Sequence, residues 1–282
     1  MKIRESRYVR VAKLAYALTQ STLPLYAHPK SPHHFTFPQL AACVLLMFYM
    51  DLSYRDMEEW LLASDRVCSA LELERIPDHS TLERIFKKLQ QRNFDQLNTE
   101  LLNQLQVDET AIAVDSTGFT PSQASAYYQT RRGGAYREYV KGAYAVGTAS
   151  QLILGWRAGS AHTHDTKLLP SLRRQAARYG RQVKRRRAWL LLGDKGFDGR
   201  TMHPGDLIPP IRRRGKLLAP ERIAQAELVA AARLDGIYGQ RWKSETAHSV
   251  IKRKMGDTIR SRSLRMQRRE PIVKGLVYNL HV

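Results

Sequence analysis

The fifteen residues from Tyr238 to Lys252 read Tyr-Gly-Gln-Arg-Trp-Lys-Ser-Glu-Thr-Ala-His-Ser-Val-Ile-Lys. Tyr238, Arg241, Glu245 and Lys252 stand at offsets of 0, 3, 7 and 14. On an α-helix, at about 100° per residue, these four fall within roughly 60° of one another. One carboxylate then shares a face with an aromatic ring and two cations, along about 21 Å at 1.5 Å per residue. That length exceeds a pocket for one small molecule. It suits a site where one group holds a metal and the others lie along an extended polyanion. The alternative is a solvated helix with ordinary charge pairs, since Arg241 and Glu245 sit at i,i+4. Upstream residues decide between the two.

The charge of the chain is unevenly placed. Its 282 residues carry 46 Lys+Arg against 26 Asp+Glu, a net +20, which points to a polyanionic partner, most simply nucleic acid. Residues 1–107 hold 13 Lys+Arg and 12 Asp+Glu, and residues 108–282 hold the other 33 and 14. The basic footprint therefore belongs to the part that contains Tyr238–Lys252. A hydrophobic content of 43% predicts a globular chain without broad disorder. Cys43 and Cys68 lack metal spacing and are expected as buried thiols in a reducing cytoplasm. The N-terminus has no apolar h-region, so no signal peptide is expected, and the apolar run Leu40–Met50 is too short to span a bilayer. A cytoplasmic, nucleoid-associated protein with no membrane partner is the expectation.

The first third predicts helices. Phe37 to Tyr49 is apolar, with Pro38 tolerated in the first turn. Tyr54 to Ala63 carries Met57, Trp60, Leu61 and Leu62 at helical spacing. Ser80-Thr-Leu-Glu83 has the form of a capping box opening a helix through Leu89, and Phe94 to Leu105 is amphipathic. These helices suit either a helix-turn-helix DNA reader or a bundle used for packing or dimerisation. Near Val107 the pattern changes. Ala111 to Asp115 and Ala188 to Asp194 are apolar runs ending on a carboxylate, as buried strands would. Tyr136–Thr148 and Gln151–Ala158 read as a hairpin of strands, and Gly133-Gly134 as a turn or mobile loop. Thr166–Tyr179 reads as a helix ended by Gly180, Asp206–Ile211 as a last strand, and Glu221–Leu234 as an Ala-rich helix. The expected domains are an α-helical N-terminal domain, 1–107, and an α/β domain, 108–282.

In open α/β sheets functional groups gather at the carboxyl ends of strands, so Asp115, Asp194 and Glu245 are expected to converge. Any single Asp is more often a turn residue or helix cap. Three hard oxygen ligands without His or Cys suit Mg²⁺ or Mn²⁺ rather than Zn²⁺. Two such ions about 3.5–4 Å apart serve phosphodiester chemistry by activating the attacking oxygen and stabilising the leaving one. Arg185, Arg186 and Arg187 precede the Asp194 strand, and Arg212, Arg213 and Arg214 follow the next one. Runs of like charge are usually solvated faces, yet both flank the candidate site and are assigned to DNA backbone contact. Arg260, Arg262, Arg265, Arg268 and Arg269 extend that track. His162 and His164, at i,i+2, read as polar surface.

These residues resemble the DDE transposases of bacterial insertion sequences, in the group whose last acid lies in a Tyr-x2-Arg-x3-Glu-x6-Lys signature. Tyr238, Arg241, Glu245 and Lys252 match every position of it. Asp115 in Val-Asp-Ser-Thr and Asp194 in Leu-Gly-Asp-Lys-Gly-Phe-Asp match the first and second acidic blocks. His164-Asp165 before a Leu-rich helix and Tyr278-Asn279-Leu280 are also similar to the family. The resemblance covers about residues 36–282. It implies a ribonuclease H-like catalytic core, Mg²⁺ or Mn²⁺ at the three acids, and cleavage and strand transfer of double-stranded DNA at transposon ends and target. Tyr238, Arg241 and Lys252 would position the DNA, and a homodimer on DNA is expected. Only 51 residues separate Asp194 from Glu245, too few for the large β domain that some relatives insert there. The competing readings are a nuclease of the same fold and a non-catalytic DNA-binding protein derived from such an enzyme.

Overall fold

The computed structural model describes residues 5–26, 28, 30, 33–122, 127, 130–131, 139–184, 186–199, 203–212 and 217–282. The chain divides into two compact units. The first comprises Met1–Leu105, Ile251–Gly256 and Ile272–Val282, and the second Gln106–Val250 and Asp257–Pro271.

The first unit is helical, with α1 (Arg7–Thr22), α2 (Phe37–Tyr49), α3 (Tyr54–Leu62), α4 (Asp65–Ala70), α5 (His79–Lys88) and α6 (Gln91–Gln104). Its helix starts are set by side-chain caps that satisfy first-turn N–H groups. Ser6 caps α1, and reciprocal boxes Thr36/Gln39 and Ser53/Asp56 open α2 and α3. All thirteen residues of α2 are buried, so this helix forms the unit's centre. The predicted capping box at Ser80 is not the one used. Asp78 caps α5, its Oδ1 accepting from the Thr81 N–H at 2.7 Å, because an ionised carboxylate is the stronger acceptor. Glu83 pairs instead with Lys87 at 2.7 Å. The family-like Asn279 near the chain's end is buried and donates through Nδ2 to Asn98 Oδ1 at 2.7 Å.

The second unit is an α/β arrangement around a mixed sheet in the order β3-β2-β1-β6-β7, with β8 (Thr258–Ile259) beside the far end of β1. Strands β1 (Ala111–Pro121), β2 (Val140–Gly147) and β3 (Ile153–Ser160) form an antiparallel meander, and β6 (Leu190–Leu192) and β7 (Asp206–Leu207) add in parallel. Helix α7 (Asp165–Ala176) packs on β2 and β3. Helix α8 (Pro220–Leu234) covers one face of the sheet, where Val229 and Ala232 meet Ala111, Ala113, Leu192 and Leu207. A separate small hairpin, β4 (Gln182–Val183) and β5 (Arg186–Arg187), precedes β6.

Strand lengths depart from the sequence expectation in a consistent way. β1 runs on past Asp115 because β2 pairs with it from Ile112 to Phe119. β6 and β7 shrink to three and two residues, since only those positions find ladder partners. The expected Gly133-Gly134 turn lies outside the described residues.

Candidate active site

The register of the central strands brings two acids to one region. β1 and β6 pair in parallel with Ala113 opposite Leu192, and Asp115 and Asp194 each lie two residues beyond that pair. Side chains alternate along a strand, so Asp115 carries on the face of Ala113. Beyond Leu192 the ladder parts. Asp194 leaves the sheet as cap of the 3-10 turn Lys195–Phe197, its Oδ1 accepting from the Gly196 N–H at 2.9 Å. Asp115 is not at a strand end, contrary to the sequence reading. It lies inside β1, where burial gives way: Ala111–Val114 are buried and Asp115 is only partly so.

Asp115 accepts from the Ser116 N–H at 2.8 Å, and its Oδ2 faces Arg241 Nη1 at 3.8 Å and His248 Nδ1 at 3.7 Å. Burial pushes its pKa up to about 6 against the pull of the Ser116 N–H and Arg241. The charges of Asp194 and Glu245 push it the same way as burial. All three acids therefore share one electrostatic neighbourhood. Arg241 Nη2 donates to Glu245 Oε1 at 2.5 Å, so the guanidinium bridges Asp115 and Glu245. Burial works to lower the Arg241 pKa, but the two acids outweigh it and hold it above its ordinary value. The Glu245 side chain is 56% exposed and Asp115 only 18%, so one acid of that bridge faces solvent.

The four signature residues do not share one α-helix. Tyr238–Arg241 is a 3-10 turn, and α9 begins at Trp242 and runs to Met255. Gly236 with φ +73° ends the preceding helix, and Gly239 weakens helix formation at the start of the stretch. The tighter turn turns Tyr238 inward. Its ring packs on the Ala113–Leu192 core and its hydroxyl donates to the Gly193 carbonyl at 3.0 Å, pinning the residue before Asp194. Burial raises the Tyr238 pKa, with Arg241 and Arg233 opposing it. Lys252 is half-buried on α9, in the segment Ile251–Gly256 of the first unit. Arg186 is exposed on the small hairpin and Arg212 is exposed after β7; Arg187 lies in β5. Arg185, Arg213 and Arg214 lie outside the described residues. In the track beyond α9, Arg269 is buried rather than on the surface.

Three neighbours had no role in the sequence reading. Asp165, in the first turn of α7, accepts from Ser116 Oγ at 2.8 Å and Lys141 Nζ at 3.1 Å. A Cβ on Gly196 would come within 3.0 Å of Asp194 Oδ1 and 3.2 Å of Asp165 Oδ2, so glycine there lets the two carboxylates approach. His248 follows Glu245 by three residues, a spacing that puts both on one helix face. Lys141 carried no signal beyond its place in an apolar strand.

The donor set fits a hard divalent cation: carboxylate oxygens, a buried acid whose charge is poorly compensated, and no thiolate. Among the described residues no group of three His, Cys, Asp or Glu side chains stands ready to hold a metal ion. Arg241 supplies the positive charge between Asp115 and Glu245 instead.

Carboxylates that act on one another beside the parallel strands of a strongly basic α/β unit are the setting expected of a protein that processes nucleic acid. Residues 106–280 match the family described as Transposase DDE domain, well over half of the chain, and the protein belongs to it. No curated protein matches the chain. Among the described residues no single helix is long and apolar enough to cross a membrane.

Proposed function

We propose that this transposase cuts double-stranded DNA at the ends of its element and joins them to target DNA. The carrying observation is that the charges of Asp194 and Glu245 both act on the half-buried Asp115, with Glu245 linked to Asp115 through Arg241. Asp115, Asp194 and Glu245 would hold Mg²⁺ or Mn²⁺. When bound, the metal supplies Lewis acidity that favours attack on a phosphodiester and stabilises the departing oxygen.

The chain's own residues prepare the rest, on a ribonuclease H-like core as the family implies. Tyr238 fixes the Gly193 peptide and so aims Asp194. Asp165, paired with Lys141, holds the hydroxyl of Ser116, the residue next to Asp115. Glu245, as a metal ligand, would give up its pairing with Arg241, and that guanidinium would be able to offer two N–H donors to a phosphate. Lys252 and the arginine runs 185–187 and 212–214 contact the DNA backbone. Two ends must meet for joining, which favours two copies of the chain on the DNA.

The test is incubation of the full chain with the DNA flanking its own reading frame and Mg²⁺. Cleaved ends and joined products support the reading. Cleavage without joining would make the protein a nuclease of the same fold, and binding without cleavage a non-catalytic DNA-binding protein.

A further inference from the structure

Residues 258–270 form a basic surface that the site around Asp115 does not use. This stretch, Thr-Ile-Arg-Ser-Arg-Ser-Leu-Arg-Met-Gln-Arg-Arg-Glu, holds five arginines and one acid. Arg260, Arg262, Arg265 and Arg268 are exposed, while the acid, Glu270, is buried. Glu270 is spent on architecture: its Oε2 accepts from the Arg260 N–H at 3.0 Å and its Oε1 from the Ser261 N–H at 2.6 Å. Ser263 then caps the short helix α10 (Leu264–Gln267). The arginines therefore project from a shaped loop rather than a loose tail.

That loop is tied to the strand that carries Asp115. Strand β8 (Thr258–Ile259) pairs in parallel with Thr120 and Pro121 of β1. The Thr120 N–H donates to Asp257 O at 3.0 Å, and the Ser122 N–H to Ile259 O at 2.8 Å. The positive charge is crowded as well. Arg269 is buried, and its pKa is lowered first by burial and then by the charge of Arg265. Like charges held this close by a fixed backbone gain from a polyanion laid across them.

We propose that Arg262, Arg265 and Arg268 form a phosphate clamp on the DNA duplex, held by a loop that is anchored to the strand carrying Asp115. Arginine suits this task because its planar fork takes two phosphate oxygens at once. The clamp rests on the proposed DNA substrate and not on the catalytic role of Asp115.

The experiment compares the full-length protein with the triple variant Arg262→Ala/Arg265→Ala/Arg268→Ala, measuring affinity for end DNA across a salt series. Each lost phosphate contact removes about 0.9 from the slope of log K against log salt, so the slope should fall by roughly 2–3. The corresponding triple Lys variant should regain most of it. End DNA carrying uncharged methylphosphonates in place of backbone phosphates should bind the wild type more weakly and narrow its difference from the triple Ala variant. If circular dichroism shows the triple variant misfolded, the single Arg265→Ala takes its place, with an expected loss of about 0.9. A folded variant with the wild-type slope overturns the clamp. If the wild type cuts DNA and that result holds, only the clamp fails. If the slope falls but no cleavage ever occurs, the clamp stands and the catalytic reading fails.

Discussion

The two units are built on different terms. The first carries 17 Lys+Arg against 12 Asp+Glu and is centred on α2, every residue of which is buried. Its polar groups mostly cap helix ends, beside a buried Lys274 that donates to the Gly256 carbonyl and the buried Asn98–Asn279 pair. The second carries most of the positive charge and also takes charge into its interior. Arg173 pairs with buried Asp206 at 2.5 Å, and Asp206 also accepts from the His203 N–H. Buried Asp198 takes Arg222 and the Ile211 N–H. Buried Glu109 takes the N–H groups of Ala149 and Ser150 at 2.8 and 2.9 Å. Each of these acids fixes a loop whose shape no apolar stripe could dictate. Apolar packing dominates the first unit, and buried carboxylates that hold loops are a feature of the second.

The largest expected effect is on that buried charge. Arg173→Met leaves the Asp206 carboxylate buried without its partner and should destabilise the second unit by about 3–5 kcal/mol. The double variant Arg173→Met/Asp206→Leu should recover most of that loss in denaturant titrations. Leu45→Ala in α2 should cost about 2–5 kcal/mol through its cavity, with no partner substitution able to rescue it. Equal rescue in both units would erase the contrast between them.

Next comes the bridge across the site. A charge-assisted phosphate contact is worth about 1.5–3 kcal/mol, or roughly ten- to a hundredfold in rate when made in the transition state. Arg241→Ala should lose that much strand transfer, and Arg241→Lys should recover only part, having lost the planar fork. Undiminished single-turnover rates would return Arg241 to an ordinary ion pair.

A smaller effect concerns Asp115 in metal-free buffer. Its carboxyl moves from the ordinary 3.8 up to about 6 on folding, so between those values the folded state holds the extra proton. Stability then falls as pH rises through about 4 to 6 and stays reduced above that window. Asp115→Asn removes this cost and should stabilise the protein by on the order of 1–3 kcal/mol at pH 7, with no gain at pH 3.5. Melting curves at the two pH values check it, and an equal shift at both would refute the assignment to burial of charge.

The smallest effect belongs to the first unit. Asp78, lowered to about 2 by the Ser80 hydroxyl and then the Thr81 N–H, caps α5. Asp78→Ala should cost about 1 kcal/mol, and Ser80→Ala much less. The reverse order in thermal melts would restore the capping box predicted from the sequence.

What could be read in advance follows the same division. Helices α2 and α3 were legible because their signals are local: an apolar run, a proline in the first turn, large side chains at helical spacing. The acids Asp115 and Asp194 stood out as carboxylates closing apolar runs, and Tyr238, Arg241 and Glu245 through their spacing. Strand lengths were not legible, since β1 continues only because β2 and β8 lie beside it. Nor was the inward turn of Tyr238, which depends on a 3-10 start and on the Gly193 carbonyl 45 residues earlier. Asp165 was named only for its likeness to the family; its bond to Ser116 spans 49 residues.

The most direct test of the central claim is single-turnover cleavage of end DNA in Mg²⁺ by Asp194→Asn, with DNA affinity measured in parallel. Asp194 caps a turn through one oxygen, a bond that Asn can keep, so the fold should survive. The account predicts at least a thousandfold loss of cleavage with affinity unchanged. Wild-type cleavage by Asp194→Asn would contradict it.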